Sequence, residues 1–364
     1  MATATSMYAL GLDQIANLIV ATGTTNTVLA QGHMGTGKSA LLHTIGEQLP
    51  DHRKIYFDCT TKDLGDLMIP RMKDAEGGDY VSFATNEELG LHIEGPVIIM
   101  IDEFGKANPA VKNGLTRLMY ERQMGSYKLH PDSIVFATTN LGAEGVGDMM
   151  AAHHRNRITV VTVRKPSHIE WIEWGINNDI DHSLLGWVRD NPQAFATFED
   201  VSNPDDNQYI FHPKAQRVAF VTPRSLEKFS NVLRKRHLLD DNTVVAAGIG
   251  TVGERAAMDI MAFTKMADQL PSLQSIKDSP GTAKVPTSAA AMCMVIYRTL
   301  GGIDREWLDA WMTYLPRLSA EAQGMFANGV RAKTYNPKRQ TMIMTNKAFT
   351  RWAMDNNHLF GADV

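Results

Sequence analysis

Between a short apolar run, Val28–Ala30, and a helical pattern, Ala40–Gln48, the chain reads Gly32-His33-Met34-Gly35-Thr36-Gly37-Lys38-Ser39. The spacing G-x-x-x-x-G-K-S, set between a strand and a helix, leaves few folds open. Its glycines let backbone N–H groups curl around an anion at a helix N-terminus, where the dipole favours negative charge. In such a loop the backbone from Gly32 through His33, Met34, Gly35, Thr36 and Gly37 to Ala40 cradles phosphates. Lys38 reaches the terminal phosphates, and the Ser39 hydroxyl ligates Mg²⁺. A magnesium-bound nucleotide is the ligand this motif predicts.

The surroundings agree. Val28–Ala30, Ile55–Asp58, Val97–Ile101, Ile134–Thr138 and Ile158–Val163 are nearly continuous in apolar or β-branched residues. Such runs suit strands buried on both faces of a parallel sheet. Segments long enough for helical crossovers separate them, so residues 1–165 read as an α/β nucleotide-binding core. Past Pro166 the strand signals fade. Ser167-His168-Ile169-Glu170 is a capping box opening a helix with Ile169, Ile172 and Ile176 on one face. Thr222-Pro223 opens another. Residues 166–270 therefore read as a helical lid. Pro271–Ser288, with three prolines, reads as a linker to a helical extension ending at residue 364. Helices are expected there at Ala289–Leu300, stopped by Gly301-Gly302, at Asp304–Tyr314 and at Ser319–Val330.

Four further sites carry candidate chemistry. Val97-Ile98-Ile99-Met100-Ile101-Asp102-Glu103 is an apolar strand ending in two carboxylates. The first suits Mg²⁺ and the second can polarise a water for attack on a γ-phosphate, which favours hydrolysis over transfer to an acceptor. Asn140, at the tip of the run Ile134–Thr138, can orient that water or bond the γ-phosphate. Arg157, with Arg155 as the alternative, can serve as an arginine finger toward a neighbouring subunit. Arg224 sits in the first turn of a helix, where a cation opposes the macrodipole, so a shared anion explains it better than helix stability. His153 and His154 are adjacent, lack i, i+4 spacing and have no accompanying acid cluster, so a metal site is not expected there.

Composition narrows the classes. Lys+Arg 36 against Asp+Glu 40 gives a net charge of −4 over 364 residues, which excludes a polybasic nucleic-acid coat. The densest basic cluster, Arg234-Lys235-Arg236, reads as a solvated helix face or end. Two distant cysteines, Cys59 and Cys293, form no CxxC pair and fit a reducing cytoplasm. No run of about 18 apolar residues predicts a membrane span.

In motif order the chain resembles AAA+ ATPases, and among them the MoxR-like, dynein-related group of bacteria and their phages. The resemblance covers roughly residues 11–235: Walker A at Gly32–Ser39, Walker B at Ile98–Glu103, sensor 1 at Asn140, the finger at Arg157 and sensor 2 at Arg224. Ile101-Asp102-Glu103-Phe104-Gly105-Lys106-Ala107-Asn108-Pro109 is similar to the family's stretch after Walker B. The family's helix-2 insertion maps to Asp66–Leu89, with a turn at Gly77-Gly78-Asp79-Tyr80, and its pre-sensor hairpin to Arg122–His130 around Gly125. The family's Asp-Arg-Phe at the finger is Asn156-Arg157-Ile158 here. The resemblance implies an ATP-hydrolysing homo-oligomeric ring, usually a hexamer, that remodels or activates protein clients in a chaperone-like way. Partners in the family often carry a von Willebrand factor A-type domain. A nucleic-acid motor or loader is the alternative reading.

Overall fold

Strand β5 (Val97–Asp102) is buried at every position, as its unbroken apolar run predicts. In the computed structural model, which describes residues 8–73, 80–141, 156–268 and 270–360, it lies inside a parallel sheet. The strands are β1 (Val28–Gly32), β2 (Arg53–Asp58), β5, β8 (Ile134–Asn140) and β9 (Thr159–Thr162), in the spatial order β2-β5-β8-β1-β9. Alternation along these strands splits the core into two layers. Val28, Ala30, Ile98, Met100, Ile134 and Phe136 pack with Ile15 and Ile19 of α1 (Leu12–Thr22) and Leu41 and Ile45 of α2 (Leu41–Gln48). Leu29, Ile99, Ile101, Val135 and Ala137 face Val111, Leu115 and Leu118 of α3 (Pro109–Glu121). The result is an α/β core: a five-stranded parallel sheet flanked by helices, with the glycine-rich loop leaving β1.

Two antiparallel hairpins project from this core. β3 (Met68–Lys73) pairs with β4 (Tyr80–Thr85) inside the segment read as an insertion. Of its expected turn, Gly77, Gly78 and Asp79 lie outside the described residues. β6 (Gln123–Met124) pairs with β7 (Tyr127–Lys128), and Gly125 turns between them at φ 57°. Just before them, Arg122 ends α3 in a left-handed conformation. Its guanidinium donates to Gly23 O at 2.9 Å, to Thr27 Oγ1 at 2.7 Å and to Met119 O. Burial lowers its pKa to about 10, still high enough to keep it charged at neutral pH. One side chain thereby ties together the ends of α1 and α3 and the entry to β1.

By compactness the chain divides into Met1–Lys165 and Pro166–Val364. Among its described residues the second unit is helical: α4 (His168–Asn177), α5 (His182–Asp190), α6 (Pro223–Leu233), α7 (Asp241–Val252), α8 (Glu254–Ala267), α9 (Leu273–Asp278), α10 (Ala289–Gly302), α11 (Leu308–Tyr314), α12 (Ala320–Arg331), α13 (Pro337–Met344) and α14 (Lys347–Asp355). The expected caps are present, with Ser167 accepting from Glu170 N and Thr222 from Ser225 N.

Several local expectations are corrected. Ile169 is 57% exposed, and Trp171 joins Ile172 and Ile176 on the buried face of α4. The segment read as a linker carries α9, with Ile276 fully buried. α10 ends at Gly302, with the glycine pair as its last two residues, and the helix expected from Asp304 begins at Leu308. The basic cluster is not simply solvated, since Arg236 bridges Asp181 at 2.9 Å and Asp268 at 2.7 Å, and Arg234 pairs with Asp179. A single hydrophobic cluster runs from Trp171 to Trp352 and includes Leu184, Leu226, Ile260, Leu300, Trp311 and Phe326. Among the described residues no helix is long and apolar enough to cross a membrane.

Candidate functional site

Because the strands are parallel, Gly32, Asp58, Asp102 and Asn140 all end at one edge of the sheet, where open α/β sheets bind ligands. Alternation decides which side chains meet there. Asp102 follows Ile98 and Met100, and Thr138 and Asn140 follow Ile134 and Phe136, so all point toward the α2 face. Register brings them level, pairing Gly32 with Asn140 and Ile101 with Ala137.

The loop from Gly32 has the backbone its composition predicts. Gly35 and Gly37 lie at φ 72° and 94°, a region that side chains resist. Gly32 is needed for space, since a Cβ there would stand 2.7 Å from Val163 Cβ. Thr36 Oγ1 donates to His33 O at 2.9 Å. The following helix opens with a 3₁₀ turn, Lys38–Ala40, before α2 begins at Leu41. Lys38 folds back under the loop, and its Nζ donates to Gly32 O at 2.8 Å, His33 O at 2.7 Å and Asn140 Oδ1 at 2.8 Å.

The two acids stand in different surroundings. Asp102 is buried, and its carboxylate is fixed by three donors. The Thr138 hydroxyl and the Glu103 N–H (3.0 Å) reach Oδ1, and the Tyr56 hydroxyl reaches Oδ2 at 2.8 Å. Glu103 turns the chain with φ 53° and ψ 34°, a left-handed conformation uncommon outside glycine. Its Oε1 accepts from Asn140 Nδ2 at 3.0 Å and faces Lys106 Nζ at 3.2 Å. Its Oε2 is buried and has no hydrogen-bond partner among the described residues. A buried carboxylate oxygen left bare is costly.

These features fit a magnesium-bound nucleoside triphosphate. Gly32 to Ala40 would hold the phosphates, Lys38 the terminal ones, and Ser39 with Asp102 the cation, which neutralises charge on the phosphates. No group of three His, Cys, Asp or Glu side chains gathers as a metal centre among the described residues. Two protein oxygens suit a hard ion that keeps waters and takes phosphate ligands.

Arg157 is exposed, and its guanidinium stacks 5.2 Å from the Tyr120 ring centre on α3. It precedes β9, whose Thr159 pairs with Val28 at the start of β1. Arg157 is therefore at the amino edge of the sheet and Lys38 at the carboxyl edge. Arg155, His153 and His154 lie outside the described residues. Arg224 is exposed on the first turn of α6, in the second unit. Sequence reasoning missed Tyr56, Thr138 and Lys106. Only the alternation of β8 pointed to Thr138, whereas the other two needed the sheet register and the turn geometry.

No family model and no curated protein matches this sequence. Solved structures give distant likenesses. The Thermotoga maritima RuvB Holliday junction branch migration motor is 15% identical, with a TM-score of 0.39 and 74% of each chain covered. NtrX from Brucella abortus is 15% identical, with a TM-score of 0.36, 96% of this chain covered and 68% of that one. Likeness at this level assigns neither activity nor partner, so what the site does has to be argued from its own residues.

Proposed function

We propose that this chain is an ATP-hydrolysing AAA+ protein of the MoxR-like kind, which assembles as a homo-oligomeric ring and uses ATP turnover to remodel or activate partner proteins. The observation that carries the reading is the chain of contacts Lys38–Asn140–Glu103, which ends in the bare, buried Glu103 Oε2. It links the residue expected to grip the terminal phosphates to the residue expected to take a proton. In the reaction a water oxygen bonds the γ-phosphorus, its proton passes to Oε2, and the bond to the bridging oxygen breaks with its electron pair leaving on ADP. Removing the bare carboxylate oxygen should stop turnover while leaving the cradle intact.

The ring rests on Arg157, whose edge of the sheet is remote from its own site and which can complete only a neighbour's. A hexamer and a client bearing a von Willebrand factor A-type domain follow from the resemblance. The test is ATP turnover per subunit across a wide range of protein concentration, with Glu103→Gln as the blank and sizing of the same samples. A cooperative rise to a plateau supports an inter-subunit site. Turnover by a demonstrated monomer overturns the ring, and no turnover in a nucleotide-bound ring overturns the hydrolase.

A further inference from the structure

We infer that Lys106 is a positioning residue for the general base: together with Asn140 it holds Glu103 Oε1, so that Oε2 is the oxygen left to take the proton. The inference rests on the proposed hydrolase reading and adds a residue to it.

The geometry is built by the turn that follows β5. Glu103 caps a single 3₁₀ turn, Phe104–Lys106, and Lys106 N closes on Glu103 O at 2.8 Å. That closure places the two side chains on the same side of the turn, with Nζ 3.2 Å from Oε1. Gly105 presses the turn against the tip of β8, where a Cβ would stand 2.2 Å from Thr139 Oγ1. A larger residue there would have to displace the Thr139 hydroxyl or shift the turn that carries Lys106.

The two donors differ in kind. The Asn140 amide gives direction, and its other end is occupied by Lys38. The Lys106 ammonium gives charge on a flexible stem, and it remains 31% exposed. Both act on Oε1, and neither reaches Oε2, which is buried and, among the described residues, unpartnered. A carboxylate gripped at one oxygen cannot rotate freely to present either oxygen, so the orientation useful for proton transfer is set before substrate arrives. Lys106 touches no reacting atom and acts through Glu103.

The test compares Lys106→Met, which removes the charge at similar length, with Lys106→Arg, which keeps it. Binding of a fluorescent ATP analogue and steady-state hydrolysis are measured on the full chain. Lys106→Met should lower kcat about 10–100-fold with analogue affinity and KM within twofold, and Lys106→Arg should recover most of the loss. In a Glu103→Gln background, the slow residual cleavage followed over long single-turnover times should show no further loss from Lys106→Met. Wild-type kcat in Lys106→Met, lost analogue binding in step with turnover, or an equal loss in both backgrounds overturns the inference. If the unsubstituted chain binds the analogue as a ring yet never hydrolyses ATP, the hydrolase reading falls and takes this one with it. A hydrolysing parent with an indifferent Lys106→Met sinks this one alone.

Discussion

Gly32 and Asn140 stand opposite each other in the register of β1 and β8, so the first residue of the phosphate loop and the amide at the strand tip share one rung of the sheet. Lys38 exploits that closeness, bonding Gly32 O and Asn140 Oδ1 with the same ammonium. The far end of the amide is committed to Glu103. Asn140 is therefore a joint between the two halves of the site.

Asn140→Ala removes both ends of that joint and leaves the loop's own backbone intact. Turnover should fall about 10²-fold, the scale of losing one preorganised donor, while ATP binding changes severalfold at most. Steady-state kinetics beside equilibrium binding measure the split. A proportional loss of binding would make Asn140 a ligand for the nucleotide rather than a bridge to the base.

Asp102 owes its orientation to Thr138 and Tyr56. Thr138→Val leaves Oδ1 with the Glu103 N–H alone and should cost about 1–3 kcal/mol of stability, the range for a buried polar group losing a partner. Tyr56→Phe acts nearer the surface and should cost less, about 1 kcal/mol. Both should weaken Mn²⁺ binding to the nucleotide-loaded protein in an electron-spin titration. Unchanged Mn²⁺ affinity in both variants would remove Asp102 from the cation site.

Arg157 and Glu103 can be tested by mixing. Arg157→Ala and Glu103→Gln proteins should each be nearly inactive, and rings assembled from both should regain a fraction of wild-type turnover. The recovered activity comes from interfaces that pair an intact Glu103 with an intact Arg157. Failure to recover, in mixed rings verified by tagged pull-down, would place the finger elsewhere.

Cys293 is buried in the second unit, and burial pushes its thiol up from 9.0 to about 11. Between those values the folded protein holds the proton and the unfolded chain releases it, so stability falls as pH rises through that window. Cys293→Ala should flatten this part of the stability curve, read by denaturant titration at several pH values from neutral to strongly alkaline. Cys59 is also buried, so the native protein at neutral pH should resist a thiol reagent, and both thiols should react after unfolding. Rapid labelling of the folded chain would contradict the packing.

The legible parts of this molecule were those written locally. The spacing from Gly32 to Ser39 and the acids after an apolar strand each announce themselves in a few consecutive residues. Tyr56 carried no such signal, because its contact with Asp102 crosses from β2 to β5 along a diagonal of the register. Gly301 and Gly302 read as a helix stop because glycine is a poor helix former, and α10 ends with them. In the fold a Cβ on Gly301 would lie 3.3 Å from Ile176 O, so its smallness also serves packing against α4. Ile169 failed because Trp171 supplies the larger buried surface and sets which side of α4 turns inward.

The cluster running from Trp171 to Trp352 bears on how this half of the protein can change over time. Met294 of α10 lies against Gly186 of α5, where a Cβ would stand only 2.9 Å from Met294 Cγ, and Leu300 fills the space beside Gly329 of α12. Residues before and after position 270 thus complete one another's interior. A chain truncated there would uncover the face of α5 around Gly186, and a tail borrowed from another protein would meet a surface shaped for this one. The two stretches are bound to be inherited, lost or redesigned together.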